Sequence, residues 1–181
     1  MMTIPRIPIE IFTPGQRLSG LLETRFHRVA DALNDKGETF VIVHRVELTQ
    51  LFGSLTQVQR LPMMKLNKRA ICFAVPHEDD GDDPLRRQKR LYAYTPKDAR
   101  PVYVGLDSYE IRGDIHVART GTAPLALDIF DLSGDFVPVT TASVIFLLNP
   151  RIAFQTPVVI VNKAQVALSG MPTPVSAPAQ A

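Results

Sequence analysis

"LNKRAI" at residues 66–71 and "VNKAQV" at residues 161–166 write one phrase twice: an apolar residue, Asn-Lys, two free positions and a β-branched residue. In both places the phrase separates two apolar stretches, "MMK" from "CFAV" and "VVI" from "ALS". Asn tolerates left-handed backbone values, so Asn-Lys there reads as a tight kink between the last two strands of a unit. Working outward, other features recur in the same order. "RLSG" ending at Gly20 meets "EIRG" ending at Gly113. "DALNDKGETF" from Asp31 meets "DIFDLSGDF" from Asp128, and "FVIV" from Phe40 meets "FVPV" from Phe136. The offsets, 93, 97, 96 and 95 residues along the chain, wander as loop insertions make them wander. Ordered self-similarity of this kind predicts an internal duplication.

Each copy opens with two short β-type runs, "IEIFT" and "RLSGLLE" in the first, "VYVGL" and "YEIRGDIHV" in the second. Their alternation suits half-buried strands. Gly20 and Gly113 fall within strands, where glycine marks a bulge, a bend or a close backbone approach. A short helix is expected next. In the first copy Thr24 is the candidate N-cap, Phe26, Val29, Ala30 and Leu33 share a face, and Gly37 ends it. In the second, Thr122 caps, Pro124 occupies the first turn, and Leu125, Ile129 and Leu132 line one side before Gly134. A long β-type stretch follows in each copy, "TFVIVHRVEL" and "DFVPVTTASVIFLL".

These boundaries divide the chain into a first repeat at 1–76, a charged linker or extended loop at 77–100, a second repeat at 101–169 and a disordered tail at 170–181. The overall charge of +2 excludes a general polyanion binder, but its distribution is uneven. Residues 1–76 carry ten Lys/Arg against six Asp/Glu, and residues 101–181 carry four against six. The single cysteine, Cys72, lies in an apolar run and reads as a small buried hydrophobe. No apolar run approaches the length of a spanning helix, and "MMTIPRIPIEIF" has no continuous apolar core. The expectation is a soluble, cytoplasmic protein without membrane contact.

The chemistry-bearing residues do not assemble into a catalytic or metal motif. His27, His44, His77 and His116 are dispersed, without ligand spacing. "HEDDGDD" fails as a calcium loop, since Pro76 and Arg87 occupy its first and last slots. Phosphate-cradling glycine motifs and a nucleophile elbow are absent, so no enzyme, cofactor or metal is expected. Two basic clusters remain as nucleic-acid candidates: Lys65, Lys68 and Arg69 around the first Asn-Lys, and Arg86, Arg87, Lys89 and Arg90 before Tyr92 and Tyr94. Cations interleaved with aromatics hold phosphates and stack bases. The acids of "EDDGDD" compete for the second cluster.

"TPGQRLSGLL", with Gly15 five residues before Gly20, resembles the first motif of Sm-like small barrels. "LNKRAI" and "VNKAQV" resemble the second motif, with Asn-Lys where that family usually carries Arg-Gly. The tandem pattern is also similar to uncharacterised bacterial small-barrel domains. The resemblance implies a mainly β protein of two tandem SH3-like or Sm-like five-stranded barrels, each with one short helix, packed about a pseudo-two-fold axis. The function expected is a non-enzymatic binding, assembly or regulatory module, with a protein partner or a homo-oligomer. The alternative is an RNA- or ssDNA-binding protein of Sm-like type.

Overall fold

The computed structural model describes residues 4–52, 58–77, 97–118 and 128–172. Ten strands and one short α-helix make up the described chain: β1 (Arg6–Phe12), β2 (Gln16–Glu23), α1 (Val29–Asn34), β3 (Phe40–Gln50), β4 (Val58–Asn67), β5 (Phe73–Pro76), β6 (Lys97–Leu106), β7 (Tyr109–Ala118), β8 (Phe136–Phe146), β9 (Ala153–Asn162) and β10 (Val166–Gly170). The strands form one antiparallel sheet in the order β10-β6-β7-β8-β9-β5-β1-β2-β3-β4. No described helix is long and apolar enough to cross a membrane.

The protein is mainly β, but the expected closed barrels are not formed. The sheet is open, and β4 and β10 are its two ends. Read along the sheet, β10-β6-β7-β8-β9 and β5-β1-β2-β3-β4 run in the same sense, and their registers match. Gln16↔Gln50 in the first half corresponds to Tyr109↔Phe146 in the second, and Phe40↔Asn67 corresponds to Phe136↔Asn162. The halves therefore meet head to tail, β9 of one against β5 of the other. The expected two-fold is not present, because a two-fold axis would place the same strand of each half at the joint.

The side-chain pattern explains how each half bends. In β3 the buried positions Val41 and Val43 are followed by Val46, a break in the two-residue alternation. Arg45 absorbs the extra residue with φ 52. In β8 the buried run Val137, Val139 resumes at Ala142, and Thr141 takes φ 51. Both are β-bulges, which twist a strand and turn its face over a core. Gly20 and Gly113 lie opposite them, where the β2–β3 and β7–β8 registers shift. A Cβ on Gly20 would stand 2.7 Å from the His44 carbonyl oxygen, and one on Gly113 2.5 Å from that of Thr140. Only glycine fits beneath the bend.

Two apolar cores result. One holds Ile9, Ile11, Leu22, Leu33, Val43 and Ile71, the other Val104, Ile111, Ile115, Val139 and Val144. The joint strands feed both. Phe73 and Val75 of β5 enter the second core while Ala74 enters the first; Val159 and Val161 of β9 face the second while Ile160 faces the first. Strands buried on both faces read as continuous apolar runs rather than alternation, as "FAV" and "VVIV" do.

The helical segments depart from expectation. Thr24 accepts a hydrogen bond from the Phe26 N–H at 3.0 Å and shapes a turn, whereas α1 starts at Val29 after Arg28, which makes no side-chain cap. In the second half Thr122, Pro124 and Leu125 lie outside the described residues, and Ile129 sits in a 3-10 turn, Ile129–Asp131. Asp128 and Asp131 close that turn with reciprocal side-chain to backbone bonds. β6 starts at Lys97, inside the span expected to be linker.

Candidate assembly interface

Each Asn-Lys opens a 3-10 turn, Lys68–Ala70 or Lys163–Gln165. Neither asparagine is left-handed: φ is −69 at Asn67 and −79 at Asn162. Their role is capping. Asn67 Oδ1 accepts from the Arg69 N–H at 2.9 Å, and Asn162 Oδ1 from the Ala164 N–H at 3.0 Å. The lysines reach back to the preceding helical segment. Lys68 Nζ donates to the carbonyls of Ala32 (2.9 Å) and Asp35 (2.7 Å), and Lys163 Nζ to that of Leu132 (2.7 Å). A cation at the carbonyl end of a helical turn satisfies acceptors that have no partner in the turn itself. Burial holds the Lys68 ammonium below the usual lysine range, against the pull of Asp35 and Glu38.

The first basic cluster is thus divided. Lys68 is buried and committed to backbone carbonyls. Lys65 is exposed on β4 with its ammonium 4.9 Å from the Phe40 ring centroid, and the Arg69 side chain is exposed. Arg86, Arg87, Lys89 and Arg90, with the acidic "EDDGDD" segment, lie outside the described residues. The histidines stay dispersed: His44 meets Glu23 at 2.7 Å and His116 meets Thr140 at 2.8 Å. Among the described residues no three His, Cys, Asp or Glu side chains converge as a metal site. Burial and the nearby Asp107 push the Cys72 thiol up to about 12, leaving it protonated and unreactive at neutral pH.

What the fold does bring together is the joint between halves. Phe12 and Phe73 stack at 4.5 Å between centroids, and Tyr109 stands edge-on to Phe73 at 5.0 Å. Phe154 and Phe146 complete the cluster. The Tyr109 hydroxyl donates to the Thr13 carbonyl at 2.7 Å, and burial raises its pKa. Asn162 Nδ2 donates across the joint to the carbonyls of Ile71 (2.9 Å) and Lys68 (3.3 Å), and the Asn162 N–H donates to Cys72 O. Asn34, ending α1, accepts from the Asp135 and Phe136 N–H groups and donates to the Phe136 carbonyl. The sequence marked Asn162 through the repeated phrase. Asn34 and Tyr109 carried no local mark, because their partners lie about a hundred positions away along the chain.

Among the described residues, the two ends of the sheet carry the corresponding strands without a neighbour. β4 corresponds to β9, and β10 to β5. Phe136 is 4 % exposed and its counterpart Phe40 is 40 % exposed; Phe73 is fully buried and its counterpart Leu168 is 53 % exposed. Met63 and Val58 on β4 are also exposed. Comparison of the chain with protein-family models, with curated proteins and with solved structures returns no match.

Proposed function

We propose that this protein is a non-enzymatic assembly module, built by duplication of a five-stranded β unit of Sm-like or SH3-like type whose sheet stays open. Its two uncovered sheet edges take up further polypeptide. The observation that carries the reading is the pairing of β9 with β5 at the joint, while among the described residues their counterparts β4 and β10 stand open at the ends. An unpaired edge offers a row of N–H and C=O groups to any strand that can match it. Exposed Phe40, Met63 and Leu168 flank those edges with apolar surface. The duplication is supported by the matched bulges at Arg45 and Thr141, the glycines opposite them, and the two Asn-Lys turns.

The test is photo-crosslinking in the cell from residues placed at Met63 and Leu168. Polypeptide adducts at both positions are expected. Nucleic-acid adducts at these edges, with none to protein, would replace this reading by the RNA- or ssDNA-binding one.

A further inference from the structure

Away from the sheet edges, the joint between the halves leaves an open cleft of about 500 Å³, within the size range that holds small ligands. We infer that this cleft is a binding site for a small organic acid with a flat apolar body. One wall comes from the first half: Glu10 and Phe12 on β1, Arg17 on β2, and Leu51 just beyond β3. The other comes from the second half: Asn149 and Ile152 in the β8–β9 turn, and Phe154 on β9. Register explains why the first wall holds together. Phe12 lies opposite Arg17 and Arg17 opposite Thr49, so these side chains share one face. Glu10, two residues before Phe12 on the same strand, shares it too.

The apolar lining suits a ring. Phe12 is buried and stacks on Phe73 at 4.5 Å and on Phe154 at 5.5 Å between centroids. Phe154 is only half-buried, and among the described residues Phe12 is the one ring it meets. A flat body entering the cleft therefore has an aromatic face to stack on, with Leu51 and Ile152 beside it in the lining. The polar lining favours an acid over a base. Arg17 donates from Nη2 to Glu10, and a guanidinium carries five N–H donors. The Arg17 side chain is 46 % exposed, which leaves its remaining donors open to a ligand. Asn149 Oδ1 accepts from the Arg151 N–H, while its amide donors have no acceptor among the described residues. Glu10 is already engaged: the same oxygen that meets Arg17 has His77 Nε2 at 3.6 Å. A base must displace Arg17 from Glu10, whereas an acid extends the pair by sharing the guanidinium between two carboxylates.

The duplication supplies an internal control, because the same backbone recurs without these groups. By the matched registers Gly105 stands where Phe12 stands, Glu110 where Arg17 stands, and Tyr103 where Glu10 stands. Leu168 fills the room above Gly105, since a Cβ there would lie 2.7 Å from its Cδ1. The second half thus has neither the ring nor the cation of the first. The fold makes its bend twice and needs the Glu10–Arg17 pair in neither, so that pair answers to something other than the backbone.

The experiment titrates the full purified, isotope-labelled chain with phenylpropanoate, and separately with phenylpropanol and phenylpropylamine, which share its ring and chain. Backbone amide shifts report both the place and the occupancy. Saturable binding of the acid with a Kd of about 1 mM or tighter is expected, with shifts centred on residues 10–17, 49–51 and 149–154. The alcohol should bind about tenfold more weakly, and the amine more weakly still. Arg17→Met keeps the apolar stem and removes the guanidinium, so acid and alcohol should then bind alike. Ile152→Trp narrows the cleft and should weaken the acid about tenfold, while unchanged amide positions elsewhere check the fold. No saturable binding of the acid up to about 10 mM overturns the proposal. So does an acid that binds no better than the alcohol, a set of shifts centred elsewhere, or an Arg17→Met chain that still prefers the acid. Crosslinking from Met63 and Leu168 reads other surfaces, so the cleft and the assembly reading stand or fall separately.

Discussion

The joint in the middle of the sheet and the two edges at its ends are built from corresponding strands and differ in what coats them. The joint is sealed by five aromatic rings, a buried asparagine and a buried tyrosine hydroxyl. The β4 end presents three glutamines and an exposed lysine at matching positions, and the β10 end presents Leu168 and Ser169, whose hydroxyl has no partner among the described residues. One backbone geometry thus carries two kinds of lining. Aromatic burial makes the joint part of the folded core, while the polar side chains at the ends give them little apolar area to bury.

The largest effect that would break this contrast is at Phe73. Phe73→Ala removes a fully buried ring from the joint and should cost about 3–5 kcal/mol of stability. Leu168→Ala, at the corresponding edge position, should shift the stability of the dilute monomer by no more than about 0.5 kcal/mol. Urea unfolding at low protein concentration measures both. Similar losses at the two positions would mean that the edge is as integral to the fold as the joint.

A smaller separation is expected between the asparagines. Asn162→Ala loses a turn cap and the amide bond to the Ile71 carbonyl, while the Lys68 carbonyl keeps the Ile71 N–H, a loss of about 2–3 kcal/mol. Asn67→Ala loses the cap alone, about 1 kcal/mol in the monomer. The same denaturant midpoints decide it, and equal losses would remove the asymmetry between joint and edge.

These residues also show what the sequence could disclose. The repeated Asn-Lys and the glycine pair were legible because each makes a local demand, a cap or a close approach, that leaves a residue type at a fixed place. The bulges at Arg45 and Thr141 were not, because simple alternation hides the three-residue step from Val43 to Val46 and from Val139 to Ala142. The head-to-tail joint was not. Which edge pairs with which depends on side chains far apart in sequence, and "VVIV" reads equally as an inner strand of a barrel or a strand between two cores. Lys68 misled for a similar reason. A lysine beside an arginine suggests phosphate, whereas its partners, the carbonyls at the end of α1, appear only once the chain has folded back on itself.

Gly20→Ala and Gly113→Ala sharpen the claim that the halves bend alike. Each Cβ meets a backbone oxygen that cannot swing aside, so each substitution should cost about 1–3 kcal/mol. Thermal melts of the two variants should fall by similar amounts. A loss at only one glycine would mean that the matched registers conceal different packing.

The smallest effect expected is the pH dependence carried by Lys68, which lies beneath the turn whose carbonyl receives Asn162 at the joint. Burial lowers its pKa from 10.5 in the folded chain. Between the folded value and 10.5, the unfolded chain keeps a proton that the folded chain has lost. The unfolded state therefore binds more protons in that window, and stability must climb as pH rises through it. Below the window the ammonium is charged in both states, and the penalty for burying it is constant. Asp35 opposes the shift, so Asp35→Asn should lower the pKa of Lys68 further and begin the climb at lower pH. Melting temperatures of the unmodified chain and of Lys68→Met, compared from neutral pH to 10.5, isolate this group because other titrations cancel in the difference. The unmodified chain should gain on the variant as pH rises. A difference that stays flat would place the Lys68 ammonium in water, loosening the turn that the joint depends on.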